Sequence, residues 1–336
     1  MTYQRKKRLT TTQYVDGLLK GDKAILSRAI TLAESKLDED NQLAEEILEN
    51  IMPYTGKSIR IGITGVPGVG KSTFIEIMGK HITESGFKLA VLAIDPTSQL
   101  SKGSIMGDKT RMEELSMDPR AYIRPSPTGD SLGGVSTKTR ESMLLCEAAG
   151  YDVIFIETVG VGQSETAVKE MVDFFLLLLL AGAGDELQGI KKGIMELADA
   201  LIITKADGSN KKEALLAKAM FKNTLHYFPQ NPNGWQPKVI TCSAINHDGI
   251  VEIWQMIMAF QSAMQKAGYL KENRSNQDID WMWSTLRELL QKDFNQDPRI
   301  TKELAKLSRE IKKHKIPPIA AAKKLFEIYQ SKHNNQ

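Results

Sequence analysis

Residues 59–73 read Ile-Arg-Ile-Gly-Ile-Thr-Gly-Val-Pro-Gly-Val-Gly-Lys-Ser-Thr, and this stretch decides the fold. Gly65, Gly70, Lys71 and Ser72 satisfy G-x-x-x-x-G-K-[ST], with an apolar run before and a helical pattern after. Gly65, Val66, Pro67, Gly68, Val69, Gly70, Lys71, Ser72 and Thr73 form the expected cradle. Its glycines let the backbone turn so that successive N–H groups face one anion. A helix starting near Lys71 adds its N-terminal partial charge to the same phosphates. Lys71 is expected to reach the β- and γ-phosphates, and Ser72 to place its hydroxyl on magnesium. The stretch therefore points to a nucleoside triphosphate held on an α/β sheet.

Outward from this loop, short apolar runs alternate with helical stretches from Ser58 to about Ala267. The expected strands are Ile59–Thr64, Leu89–Ile94, Tyr122–Arg124, Val153–Glu157, Phe174–Leu180, Ala200–Ile203 and Val239–Thr241. Several are apolar at consecutive positions, as strands covered on both faces must be. The alternation predicts a doubly wound, mostly parallel sheet. Helical periodicity also runs through residues 10–52, up to Pro53, and through 275–331. The division this suggests is an N-terminal helical extension (1–54), a nucleotide-binding domain (55–268) and a C-terminal helical region (269–336).

A triphosphate site needs carboxylates on neighbouring strands to hold the metal. Glu157 ends an apolar run and is followed by Thr158-Val159-Gly160; the Gly160 amide is placed to sense a γ-phosphate. Asp95 ends another run, and Asp108 follows the glycine-flanked segment 103–107. Base choice is read from Thr204-Lys205-Ala206-Asp207, which is similar to the N-K-x-D element of GTPases. A carboxylate at Asp207 accepts both guanine N1–H and N2–H₂, a fork that adenine lacks. Lys205 would lay its stem along the base plane. Ser243-Ala244, at the end of a further strand, would back the base. Thr204 stands where Asn is usual, which predicts a weaker brace on the phosphate loop.

Composition narrows the classes further. With 44 Lys+Arg against 41 Asp+Glu, the net charge of +3 argues for neither nucleic acid nor a membrane surface. The longest apolar run, Phe174–Ala181, is too short to span a bilayer. Cys146 and Cys242 are far apart and lack metal-ligand neighbours, as suits a reducing, cytoplasmic setting.

Beyond single motifs, Gly65–Thr73, Asp95–Ser98, Gly107–Met112, Glu157–Glu165 and Gly182–Lys192 occur together in this order. In this the chain closely resembles the MeaB/ArgK-type (MMAA-like) GTPases, chaperones of adenosylcobalamin-dependent methylmalonyl-CoA mutase. The resemblance implies a SIMIBI-type P-loop GTPase that binds GTP/GDP and Mg²⁺ and forms homodimers through a C-terminal helical arm. It implies that Ser72, Asp95, Asp108 and Glu157 surround magnesium and that 95–112, 157–165 and 182–192 are switches. Lys71 and Glu157 are then the candidate catalytic groups of the phosphate site. Asp185 and Lys191 are the charged candidates of the third switch, which signals nucleotide state to an acyl-CoA mutase. Gln163 and Lys191 are candidate bases, with slow hydrolysis stimulated by the partner the expected arrangement.

Two other readings are weighed. A metallochaperone GTPase would show Cys/His clusters, whereas His81, His226, His247, His314 and His333 are scattered. A P-loop kinase of a transport-associated protein needs an acceptor site that no motif here supplies.

Overall fold

The structure is a computed structural model, and it describes residues 8–95, 112–127, 132–158, 164–181 and 192–331. Three helices lead the chain: α1 (Thr11–Leu19), α2 (Lys23–Ala33) and α3 (Asp38–Ile51), followed by a 3₁₀ turn at Met52–Tyr54. Thr10 and Gln13 form a reciprocal capping box on α1, and the Asp22 carboxylate accepts the first free amides of α2.

The α/β body then runs β1 (Ile59–Gly65), α4 (Lys71–Glu84), β2 (Leu89–Asp95), α5 (Glu113–Met117), β3 (Ala121–Pro127), α6 (Leu132–Ala148) and β4 (Val153–Thr158). It continues α7 (Ser164–Lys169), β5 (Phe174–Leu180), α8 (Lys192–Leu197), β6 (Ala200–Thr204), α9 (Lys211–Leu225), β7 (Lys238–Thr241) and α10 (Ile250–Lys266). The tail holds α11 (Tyr269–Gln296), α12 (Pro298–Lys312) and α13 (Pro318–Gln330).

The seven strands form one sheet in the order β3-β2-β4-β1-β5-β6-β7, and every pairing is parallel. Alternate residues feed two apolar layers. Ile156, Phe175 and Leu177 face the layer shared with Leu18, Ile30 and Ile47 of the N-terminal helices. Ile61, Ile63, Phe155 and Leu176 face the layer shared with Phe74 of α4 and Ile257 and Phe260 of α10. The N-terminal helices thus complete one wall of the sheet, which accounts for its all-apolar strands.

The chain divides into two compact units, Met1–Gln277 and Asp278–Gln336. The start of α11, past residue 268, belongs to the first unit for a visible reason. Arg274 donates to the buried Asp173 carboxylate at 2.8 and 2.6 Å and to the Gly56 carbonyl at 2.6 Å. The Gln277 amide donates to the Val172 carbonyl at 2.9 Å. In the second unit, Ile300, Leu307, Ala321 and Leu325 make a small core of their own. Among the described residues no helix is long and apolar enough to cross a membrane.

Candidate functional site

β1 lies at the centre of the sheet, between β4 and β5, so the loop after it opens where the strand order reverses. Gly65 has φ of 156°, and a Cβ there would sit 2.6 Å from the Leu178 carbonyl oxygen, so only glycine lets the loop leave β1 this close to β5. Gly70, left-handed at φ 91°, is the N-cap of α4 and has no side chain to close off the helix's first amides. Those amides stay available to an anion. The Lys71 ammonium folds back to donate to the Gly65 carbonyl at 2.6 Å. Burial lowers its pKa from the usual lysine value, while Glu157 and then Glu165 pull it back up. Both carboxylates thus favour its charged form.

Glu157 pairs in register with Ile63 of β1 and Ala93 of β2 and is 8% exposed. Next to it, the buried Thr158 hydroxyl donates to the Thr64 hydroxyl at 2.7 Å. This contact ties the strand that carries the acid to the strand that enters the phosphate loop. Asp95 ends β2 beside the end of β4. Ser72 and Glu157 offer hydroxyl and carboxylate oxygens, the hard donors that magnesium takes. Asp108, Gly160, Gln163, Asp185 and Lys191 lie outside the described residues, as does the side chain of Asp95.

The Thr204–Asp207 and Ser243–Ala244 elements converge on the same loop. Thr204, expected to brace it weakly, has its hydroxyl 2.7 Å from the Val69 carbonyl and 3.1 Å from that of Leu179, both as acceptors. A short hydroxyl thus does at close range what a longer amide does elsewhere. Lys205, left-handed at φ 53°, lays its stem over the loop and donates to the Gly68 carbonyl at 2.8 Å. The Ser243 hydroxyl donates to Asp207 at 2.7 Å, which aims the carboxylate, and the Ala206 amide donates to the Cys242 carbonyl at 3.0 Å. Between these parts is a cavity of about 180 Å³ lined by Val69, Gly70, Thr73, Phe74, Thr204, Lys205, Asp207, Cys242, Ala244 and Ile245. Apolar walls with a carboxylate at one end suit a purine that offers two adjacent donors. Motif reading missed Phe74, Cys242 and Ile245 because an apolar lining residue has no signature. Burial pushes the Cys242 thiol up to about 12, which makes it a wall and not a nucleophile.

The family model for the methylmalonyl-CoA mutase-associated GTPase MeaB matches residues 26–299. The chain belongs to the MeaB family. Its MeaB-type relatives extend along nearly the whole chain. It is 49% identical over 313 residues to a putative GTPase of Caulobacter vibrioides, covering 93% of this chain and 95% of that one. It is 42% identical to the GTPase ArgK of Escherichia coli, covering 96% and 98%. The mitochondrial methylmalonic aciduria type A homologue of Mus musculus is 45% identical, over 94% of this chain and 79% of that protein. A solved structure described as a LAO/AO transport system kinase superposes with a TM-score of 0.78 at 37% identity, covering 97% of this chain and 100% of that one. This MeaB-family protein is therefore a GTPase linked to methylmalonyl-CoA mutase, and its P-loop takes a guanine nucleotide.

Proposed function

We propose that the protein is a GTP-driven chaperone that gates delivery of adenosylcobalamin to an acyl-CoA mutase of the methylmalonyl-CoA type, and protects that mutase, acting in the cytoplasm as a homodimer. The observation that carries this reading is the bracing of the base loop onto the phosphate loop through Thr204 and Lys205, in a family associated with that mutase. Nucleotide state and loop geometry are then one variable that a partner can read.

In this reading the amides from Gly65 to Thr73 hold the phosphates, Lys71 neutralises the β- and γ-groups, and Asp207 with Ser243 and Ala244 selects guanine. Ser72, Asp95, Asp108 and Glu157 would hold magnesium, which supplies charge neutralisation between the phosphates. The Gly160 amide senses the γ-phosphate, and Asp185 and Lys191 report its loss to the mutase. The partner supplies the stimulation of hydrolysis, which in activated GTPases amounts to ~10³-fold or more. Differential affinity of the mutase for the GTP and GDP forms drives the gate. Residues 269–336 serve as the dimer arm: Ile279, Met282, Trp283, Leu286, Leu289 and Leu290 recur at helical spacing along α11 and are 40–58% exposed.

The test is recovery of partners on the immobilised protein in GTP, GDP and nucleotide-free states. A cobalamin-dependent acyl-CoA mutase retained to a degree that depends on nucleotide is the expected result. Its absence from all three states removes the chaperone assignment and leaves the GTPase.

A further inference from the structure

We infer that Asn210 is a positioning residue for guanine-nucleotide binding. It acts through Lys205, by holding that residue in the left-handed conformation that lays the lysine stem over the phosphate loop. The inference rests on the reading of Thr204–Asp207 as the element that receives the base.

Lys205 has φ of 53°, a region that a residue with a Cβ enters only at a cost. Such a residue keeps that conformation when its surroundings hold it there. Lys205 is held at both ends. Its ammonium donates to the Gly68 carbonyl at 2.8 Å, and its Cε passes 3.9 Å from where a Cβ on Gly70 would stand. The stem therefore lies across the loop. At the other end, the Asn210 carboxamide donates to the Lys205 carbonyl at 2.7 Å.

Asn210 makes this contact in place of its ordinary one. It is the N-cap of α9, where asparagine usually turns its oxygen forward to the first amides of the helix. Among the described residues its side chain caps none of them and reaches back five residues instead. The acceptor is a carbonyl, so only the NH₂ end of the carboxamide can serve. The Asn210 backbone amide meanwhile donates to the Asp207 carbonyl at 3.0 Å and closes the turn between them. Lys205 and Asp207 both line the cavity of about 180 Å³ beside the phosphate loop. The helix thus gives up a cap, and the freed amide fixes the backbone of a cavity residue. Without it, Lys205 relaxes out of the left-handed region and its stem leaves the loop.

The experiment titrates GDP into the full chain carrying Asn210→Ala or Asn210→Asp, each made in the wild type and in Lys205→Gly. Aspartate caps a helix as well as asparagine does but, ionised, cannot donate to a carbonyl, so it keeps α9 folded while breaking the contact. In the wild-type background each variant weakens GDP binding about five-fold, the worth of one neutral hydrogen bond. Lys205→Gly weakens binding by itself, because the stem is gone. Glycine takes a φ of 53° without strain, so neither Asn210 variant weakens that protein further. This non-additivity is a readout that a role in α9 stability alone does not move, since such a role gives the same loss in both backgrounds. Unchanged GDP affinity in both Asn210 variants, or equal losses in the two backgrounds, overturns the proposal. Lys205→Gly and Asp207→Ala separate it from the reading beneath. Undiminished GDP affinity in both removes Thr204–Asp207 as the base-receiving element and the proposal with it. Weakened affinity in both, with either overturning result at Asn210, removes Asn210 alone.

Discussion

At the residue scale, the site depends on groups that serve the phosphate loop from outside it. Thr204 is the clearest case, because its hydroxyl reaches Val69 from the end of β6. Thr204→Val keeps the shape and removes the donor, which leaves a buried carbonyl unsatisfied. GTP affinity should fall about ten-fold with little loss of fold, while Thr204→Ser stays near wild type; a titration series with both variants checks it. Lys71 gives a pH signature. Its folded pKa lies below the ordinary 10.5, so the unfolded chain holds this proton to higher pH than the folded one. The stability it contributes therefore rises as pH climbs through the folded value towards 10.5. A bound triphosphate reverses the shift by favouring the ammonium. GTP binding at alkaline pH should take up a proton, seen as a dependence of calorimetric heat on the ionisation heat of the buffer that fades as the pH is brought towards neutral.

At the scale of elements, the sheet is held at the end away from the nucleotide by a buried ion pair. Arg60 of β1 and Glu147 of α6 meet at 2.8 Å with both side chains almost fully enclosed, and Glu147 also accepts the Gly56 amide at 2.7 Å. Glu147→Ala strands a guanidinium in the core and should cost about 3–5 kcal/mol, read by denaturant unfolding, without moving the guanine preference. All seven strands were legible in the sequence, because short runs of consecutive apolar residues between helical stretches suit strands covered on both faces. β3 runs further than its apolar signal, from Ala121 to Pro127, with Pro125 and Pro127 inside it. It is an edge strand, where a missing N–H is tolerated, and edge position is a property of topology that no local pattern carries. The turn after β1 and the meeting of the Thr204–Asp207 element with it were equally legible, since backbone turning demands glycine at particular spacings. Arg60–Glu147 and the Thr64–Thr158 pair were not. Their partners are remote in sequence, and an ordinary Glu or Thr in a helix or strand carries no mark of what it will meet.

At the scale of the molecule, the nucleotide site sits wholly within the first compact unit, and the second carries an exposed apolar stripe on α11. If that stripe is the dimer seam, Trp283→Asp should convert a dimer to a monomer in sedimentation velocity and leave GTP affinity unchanged. A dimer that persists would place the seam elsewhere. What joins these scales is a single guanine-selective anion cradle, and titration calorimetry tests it most directly. Wild-type protein titrated with GTP in magnesium should give a saturable heat that shrinks in EDTA and is absent with ATP. Lys71→Ala and Asp207→Ala should each abolish it at the same concentrations. Equal binding of ATP and GTP, or unchanged GTP binding in Lys71→Ala, would contradict the account.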